Sequence, residues 1–380
     1  MTAFRDGQVT LRANRRTDGF TEADKEIGYQ GIRRGDLVIH SMDAFAGAIG
    51  VSDSDGKSTP VYSAVQVSPQ HNAHYFAYLL RNLALTGYIE ALAKGIRERS
   101  TDFRWANART VAVPIPPKPV QVRIVDYLDR ETAEIDAFIA DQEKLIELLT
   151  ERRVALITST LTGGVEGSGS LQDLPVSWQL NRFSRVVKLN EGQVDPRSDA
   201  YKDLPLIAPN HIQSKTGHLL YLETAQEQAA ISGKYLVRPG QVLYSKIRPA
   251  LVKAVIAPTR CLSSADMYAF STRSSAVLRN GFLYWLLLSK PFTDYAIDQS
   301  ARVAMPKLNQ NTLGAAPVWY PSVREQARIE RVLEASTSRL DATIADAREA
   351  IALSKERRAA LISAAVTGKI DVRQHGKVNA

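Results

Sequence analysis

Apolar residues in the stretch 121–162 recur at mixed three- and four-residue steps. Leu128, Ile135, Ile139, Ile146, Leu149 and Leu156 form one seam, with polar Gln142 between them. Asp, Glu, Lys and Arg fill the other faces, and neither Gly nor Pro interrupts the run. That period predicts a helix packed along its length against another, because the stripe faces one side only. About forty residues at ~1.5 Å each make a rod roughly 60 Å long. The pattern returns at residues 326–367, and the shift of 326 − 121 = 205 aligns the two stretches without a gap. Asp136-Ala137 falls on Asp341-Ala342, Glu151-Arg152-Arg153 on Glu356-Arg357-Arg358, and Ala155-Leu156-Ile157 on Ala360-Leu361-Ile362. Identity at exposed charged positions marks an internal repeat, with a period far too long for a solenoid unit.

The repeat extends beyond the rods. Gly31-Ile32-Arg33-Arg34-Gly35 reads as a basic turn leading into a strand-forming run at Leu37-Val38-Ile39, and Gly47 to Val51 as a second short strand before the turn at Asp55-Gly56. Residues 75–92 read as a mostly buried helix. Around residues 234–249 the same order recurs: Gly240 lies over Gly35, Val242-Leu243 over Leu37-Val38, and Phe282-Leu283-Tyr284 over Phe76-Ala77-Tyr78 with one residue of slip. By this alignment Met1 corresponds to Leu206, so residues 174–205 have no counterpart in the first copy. Before the first rod, Val113-Pro114-Ile115-Pro116-Pro117-Lys118-Pro119 resists helix, which predicts a start at Gln121, just beyond Pro119. Gly163-Gly164 ends the rod, and residues 165–173 read as a flexible linker. The expected organisation is a first globular domain at 1–112, a helical spacer at 113–163 and a linker at 164–173. A second globular domain at 174–316, a second spacer at 317–370 and a tail at 371–380 complete it.

Composition adds direction. A chain of 380 residues with 44% hydrophobic and 23% charged residues can bury two cores. Phe282 to Leu288 is the longest apolar run, too short to span a bilayer, and no basic-then-apolar leader opens the chain, so the expected location is cytoplasmic. The single Cys261 cannot form an internal disulfide and reads as a small buried hydrophobe. A net charge of +8 and a pI near 9.4 suit a polyanion partner. Catalytic patterns are missing. His71 and His74 have no third ligand at metal spacing and read as a surface turn, and Gly167-Ser168-Gly169 lies in the linker. There is no nucleophile elbow, and Pro116-Pro117 lacks the preceding Asn or Asp of an amino-methyltransferase tetrapeptide.

Two related globular domains, each attached to one end of a long helix, are expected to sit at opposite ends of an antiparallel strut. Such an object measures a distance, and on duplex DNA it would read two different half-sites across a fixed gap. At this point the chain resembles the specificity subunit of a type I restriction–modification system. Val113-Pro114-Ile115-Pro116-Pro117 leading into Gln121-x-Arg123-Ile124 carries the match, as does Val318-Trp319-Tyr320-Pro321 leading into Glu325-Gln326-x-Arg328-Ile329. Both rods also close with Glu-Arg-Arg, Ala-Leu-Ile and Thr-Gly, and Leu174-Pro175-Val176-Ser177-Trp178 and Arg238-Pro239-Gly240-Gln241-Val242-Leu243 fit a target-recognition domain. The short first domain is the one departure.

The resemblance implies an α+β fold of two target-recognition α/β domains joined by two long antiparallel helices that form a coiled-coil spacer. It implies no catalysis and no cofactor in this chain. The partners would be double-stranded DNA, two S-adenosylmethionine-dependent modification subunits, and two restriction subunits using ATP and Mg2+, with no membrane. Basic and amide-bearing loops are the candidates for DNA contact, since Arg and Lys supply most phosphate contacts while Arg, Lys, Asn, Gln and Ser read base edges. In the second domain these are Ser245, Lys246, Arg248, Arg302, Lys307 and Asn309; in the first, Ser41, Arg97, Arg99 and Arg104, with Arg12, Arg15 and Arg16 in the opening segment. Arg152-Arg153 and Arg357-Arg358 are expected to make salt bridges with Glu along their own helix faces. Two rival readings remain at this point: a coiled-coil scaffold with protein-binding end domains, and a stand-alone enzyme acting on nucleic acid.

Overall fold

The computed structural model describes residues 1–15, 27–92, 103–163, 171, 174–189, 192–300 and 306–372. The chain divides into two compact units, one of Met1–Glu143 with Glu349–Ala380 and one of Lys144–Arg348, so each unit takes part of both long helices. Helix and sheet are mixed in both. No helix among the described residues is long and apolar enough to cross a membrane.

In the first unit the strand Leu37–His40 is central, pairing antiparallel with Ile49–Val51 and Tyr62–Val65. Leu37 and Ile39 face the helix Ala73–Leu85 and its buried Ala77, Leu80 and Ala84, whereas Val38 joins Ala3, Val9 and Ile32 on the opposite face. Burial on both faces explains why this strand reads as an unbroken apolar run rather than an alternating one. Asn72 caps the helix, its side-chain oxygen accepting from the amides of His74 and Tyr75.

The second unit repeats this arrangement at the offset of 205. Its central strand is Val242–Ser245, flanked antiparallel by Ala254–Ile256 and Met267–Thr272, with Val187–Leu189 added beyond the latter. A second sheet runs in the order Gln193–Val194, Lys234–Val237, Cys261–Ser263 and Leu206–Ile207; only the last pairing is parallel. The apolar run Phe282 to Leu288 forms a buried helix, Asn280–Leu288, as its composition predicts. Gly35 and Gly240 hold the same turn before the two central strands at φ of +93° and +80°, values an L side chain rarely adopts.

The long helices span Lys118–Leu161 and Val323–Val366, again 205 apart. The first begins three residues earlier than expected, because Pro119 occupies the first helical turn, where its missing N–H has no partner to lose. Gly163 and Gly368 lie just past the two ends in the left-handed region. Near each start a fully buried glutamine ties helix to sheet domain. The Asn72 N–H donates to Gln121 Oε1 at 2.8 Å while Gln121 Nε2 donates to the Pro116 carbonyl at 2.8 Å. In the second unit the Arg279 N–H donates to Gln326 Oε1 at 2.9 Å, and Gln326 Nε2 donates to the carbonyls of Val277 and Pro321.

Within the first unit Ile124, Val125 and Leu128 of the first long helix pack with Ile362, Ala365 and Val366 of the second. Within the second unit Ile157 and Leu161 share a core with Ile329 and Leu333, and Trp319 Nε1 donates to the Leu161 carbonyl at 2.7 Å. In each unit the two helices therefore run antiparallel. The expected seam is buried at Leu128, Ile135 and Ile139, but near the far end Ile157 lies deeper than Leu156.

Two arginines depart from expectation. Arg153 does not pair with a Glu of its own helix; its Nε lies 2.9 Å from Asp341 Oδ1 on the other one, and its terminal nitrogens donate to the carbonyls of Lys215 and Thr216. Arg358 likewise grips Asp136 across the helix pair, at 2.9 and 3.1 Å. A three- or four-residue step along one helix cannot reveal such a bridge, because the partner comes from sequence about two hundred residues away.

The pairs differ in burial: side-chain exposure is 3% and 12% for Arg153 and Asp341 but 24% and 52% for Arg358 and Asp136. Arg153→Ala takes the donor from the shielded Asp341 Oδ1 and from the Lys215 carbonyl, and leaves the Thr216 carbonyl only Tyr284 Oη at 3.3 Å, so it is expected to cost ~3–5 kcal/mol. Arg358→Ala is expected to cost about 1 kcal/mol or less. Urea denaturation of the two variants, read against the unaltered chain, checks the inequality.

Candidate nucleic-acid interface

In the second unit the central strand Val242–Ser245 runs into a turn that places the candidates. Ser245 itself is buried: its hydroxyl donates to the Ile247 carbonyl at 3.0 Å and its N–H donates to the Lys253 carbonyl. It shapes the turn and presents no hydroxyl outward. Beyond it, two segments about sixty residues apart in sequence are joined by backbone bonds. The Leu308 N–H donates to the Lys246 carbonyl at 2.8 Å, the Arg248 N–H donates to the Pro306 carbonyl at 2.9 Å, and Ile247 bridges Lys307. Leu308 is buried as the anchor, and Tyr268 Oη donates to its carbonyl at 3.0 Å.

This joint gathers Lys246, Arg248, Lys307 and Asn309 into one place. Arg248, Lys307 and Asn309 are exposed, and Lys246 is half-buried with its ammonium 5.7 Å from the centre of the Tyr268 ring. Arg248 and Lys307 make no ion pair among the described residues. Arg248 and Val252 both hold φ of +48°, an unfavourable conformation that the backbone bonds of the turn impose. Asn309 caps the short helix Gln310–Ala315 through Oδ1, which accepts from the Thr312 N–H, so its side-chain NH2 is the group left for an outside partner.

The first unit has the same joint. The Phe103 N–H donates to the Ser41 carbonyl at 3.1 Å, and these residues are the counterparts of Leu308 and Lys246 at the offset of 205. Ser41 is buried like Ser245, and Phe103 is the buried anchor. Arg104 follows, exposed, at the start of the short helix Trp105–Ala108. Arg12 and Arg15 flank a separate turn, where Arg15 pairs with Asp6 at 2.6 Å and lies 4.2 Å from the Phe4 ring centre. Arg12 is half-buried. Arg16, Arg97, Arg99 and Arg302 lie outside the described residues.

Sequence reasoning missed Tyr268, which supports both Lys246 and Leu308. Its only signal was an aromatic in a strand, the mark of an ordinary core residue; burial raises its phenol above the usual value. His71 is half-buried, its Nδ1 3.1 Å from Gln121 Nε2, so it belongs to the helix joint rather than to a ligand set. No group of three metal-binding side chains occurs among the described residues. Cys261 is buried and its thiol is pushed up to about 12 by that burial, which leaves it unreactive near neutral pH.

Two curated proteins are similar over most of the chain. The EcoDI type I restriction enzyme specificity subunit of Escherichia coli is 26% identical over 306 residues, covering 72% of this chain and 68% of that protein. The EcoBI specificity subunit of Escherichia coli is 22% identical over 319 residues, covering 79% of this chain and 66% of that protein. A chain from a solved structure on complex assembly and conformational transition of the type I restriction–modification system shares the fold, with a TM-score of 0.66 and 18% identity. The match covers 89% of this chain and 83% of that one. No family model matches. The resemblance drawn from the sequence, to type I restriction–modification specificity subunits, is borne out by sequence and by fold, and the protein-binding scaffold is not favoured.

Tyr268→Phe keeps the ring beneath Lys246 but removes the bond to the Leu308 carbonyl, a loss of ~1 kcal/mol. Hydrogen exchange at the Leu308 amide is expected to quicken by about fivefold, with the amides of Val242–Ser245 unchanged.

Proposed function

We propose that this chain is the DNA sequence-specificity subunit of a type I restriction–modification complex, a recognition subunit and not an enzyme. It reads a bipartite, asymmetric duplex target through target-recognition domains at 1–112 and 174–316, held apart by spacers at 113–163 and 317–370. On that target it positions two S-adenosylmethionine-dependent modification subunits and two restriction subunits that use ATP and Mg2+.

The observation that carries this reading is the duplicated joint: the same backbone bond, Phe103 to Ser41 and Leu308 to Lys246, presents a basic or amide-bearing segment in each unit. A site built twice with different side chains suits two half-sites of different sequence. In the second unit Lys246, Arg248 and Lys307 would meet phosphates or guanine edges, while the Asn309 amide would donate to a base. In the first, Arg104 is the described counterpart. The strut is supported by register. Arg153 faces Asp341 and Arg358 faces Asp136, so in both pairs residue n of one helix meets residue 494 − n of the other. Two pairs on one register suit a continuous antiparallel spacer of fixed length.

Co-expression with the modification subunits, followed by genome-wide mapping of methylated adenine, is expected to give one motif of two unlike halves and a constant gap. Scattered methylation would sink the reading. Inserting one helical turn at Gln142 is expected to change the gap or abolish methylation while keeping the letters of each half; altered letters with an unaltered gap would rule out the strut.

A further inference from the structure

In the second unit three cations that none of the candidate loops contains converge on one cleft. Arg182 ends the strand Gln179–Arg182, Lys188 lies in Val187–Leu189, and Arg273 follows Met267–Thr272. With Ser184, Gln310 and Asn311 they line a cleft of about 660 Å3 that, among the described residues, no Asp or Glu and no aromatic side chain enters. Arg273 is held in place, its N–H donating to the Val186 carbonyl at 2.8 Å and its Nε to the Ser184 carbonyl at 3.1 Å. None of the three makes an ion pair among the described residues. Unpaired like charges that line one cleft repel one another, so the arrangement favours an anion between them.

The cleft adjoins the interface already described. Gln310 and Asn311 form part of its wall and open the short helix that Asn309 caps, so one helix links the cleft to the segment that carries Lys307 and Asn309. We infer that Arg182, Lys188 and Arg273 form a phosphate-backbone clamp that holds the flank of the second half-site, while the neighbouring loops read its bases. The inference rests on the DNA-recognition reading and adds to it a set of residues that position without specifying. Arg, Lys, Ser, Asn and Gln are the side chains that contact phosphate oxygens. Among the described residues the cleft has no aromatic anchor on which a tight protein partner would centre.

The test compares the full chain, assembled with its modification subunits, against the Arg182→Gln/Lys188→Gln/Arg273→Gln variant in a DNA-binding titration over a range of salt. Each phosphate contact contributes about 0.9 to the slope of log affinity against log salt, so the slope is expected to fall by about 2–3 while the methylated motif stays the same. The Arg182→Gln/Lys188→Gln variant, which keeps the bonds of Arg273, is expected to lose about 1.8 and guards against a folding defect. An unchanged slope with sequence-specific binding intact overturns the clamp and leaves the proposed function standing. Loss of the modification subunits from the variant, seen by native mass spectrometry, overturns it in favour of a protein-docking surface. Absence of sequence-specific binding by the unaltered assembly overturns the functional reading, and the clamp with it.

Discussion

A buried side-chain amide near the start of each long helix is the contact on which this architecture turns. A glutamine amide has one oxygen acceptor and two N–H donors, and a water-free site demands that they be used. Gln121 and Gln326 meet that demand by accepting from the backbone at the start of a domain helix and donating to a carbonyl in the proline-rich strand or loop before the rod. Three segments are thereby fixed at one point, and the direction in which the rod leaves its domain is set by a few hydrogen bonds rather than by apolar packing alone. An apolar residue at this position would bury more cheaply but would leave an amide and a carbonyl unpaired, the costlier outcome.

The two copies keep this joint and diverge around it. Arg153 and Arg358 are the same residue in the repeat, as are Asp341 and Asp136, yet Arg153 also supports the loop carbonyls of Lys215 and Thr216 and is nearly sealed from water. Arg358 touches its aspartate at the surface. The same letters therefore carry different energies. Burial removes solvent screening and raises both the attraction and the desolvation cost, so the sealed pair becomes dependent on having every bond satisfied. The exposed pair remains a modest register mark.

Much of the fold was legible in the sequence because it is written in periodicity. The rods, the central strands Leu37–His40 and Val242–Ser245, and the buried helix Asn280–Leu288 all follow from apolar spacing, and the offset of 205 carries over to the elements nearly residue by residue. The candidate site was half legible. Charge and loop position pointed to Lys246, Arg248, Lys307, Asn309 and Arg104, but residue type could not tell an exposed serine from the buried Ser41 and Ser245, which are turn-formers. Nor could it show that two distant segments are stitched together, since backbone donors and acceptors are the same for nearly every residue and leave no mark on composition. The Arg153–Asp341 pairing was hidden for the related reason that helix-face rules look only along one helix.

The joint between loops also explains how the exposed loops can differ while the frame stays constant. What holds Lys246 to Leu308 and Ser41 to Phe103 is main chain, so the identity of the outward side chains is free to vary without loosening the support. Exposed Asn309 stands where the first copy has exposed Arg104, on the same backbone geometry, whereas half-buried Lys246 has the buried Ser41 as its counterpart. Only the anchors, Leu308 and Phe103, must stay large and apolar, because they fill the space beneath the joint. A surface built this way leaves stability to backbone bonds and buried anchors, so the exposed side chains are those that stability does not constrain. That separation is the physical condition under which one duplicated frame can carry two unlike sets of exposed side chains.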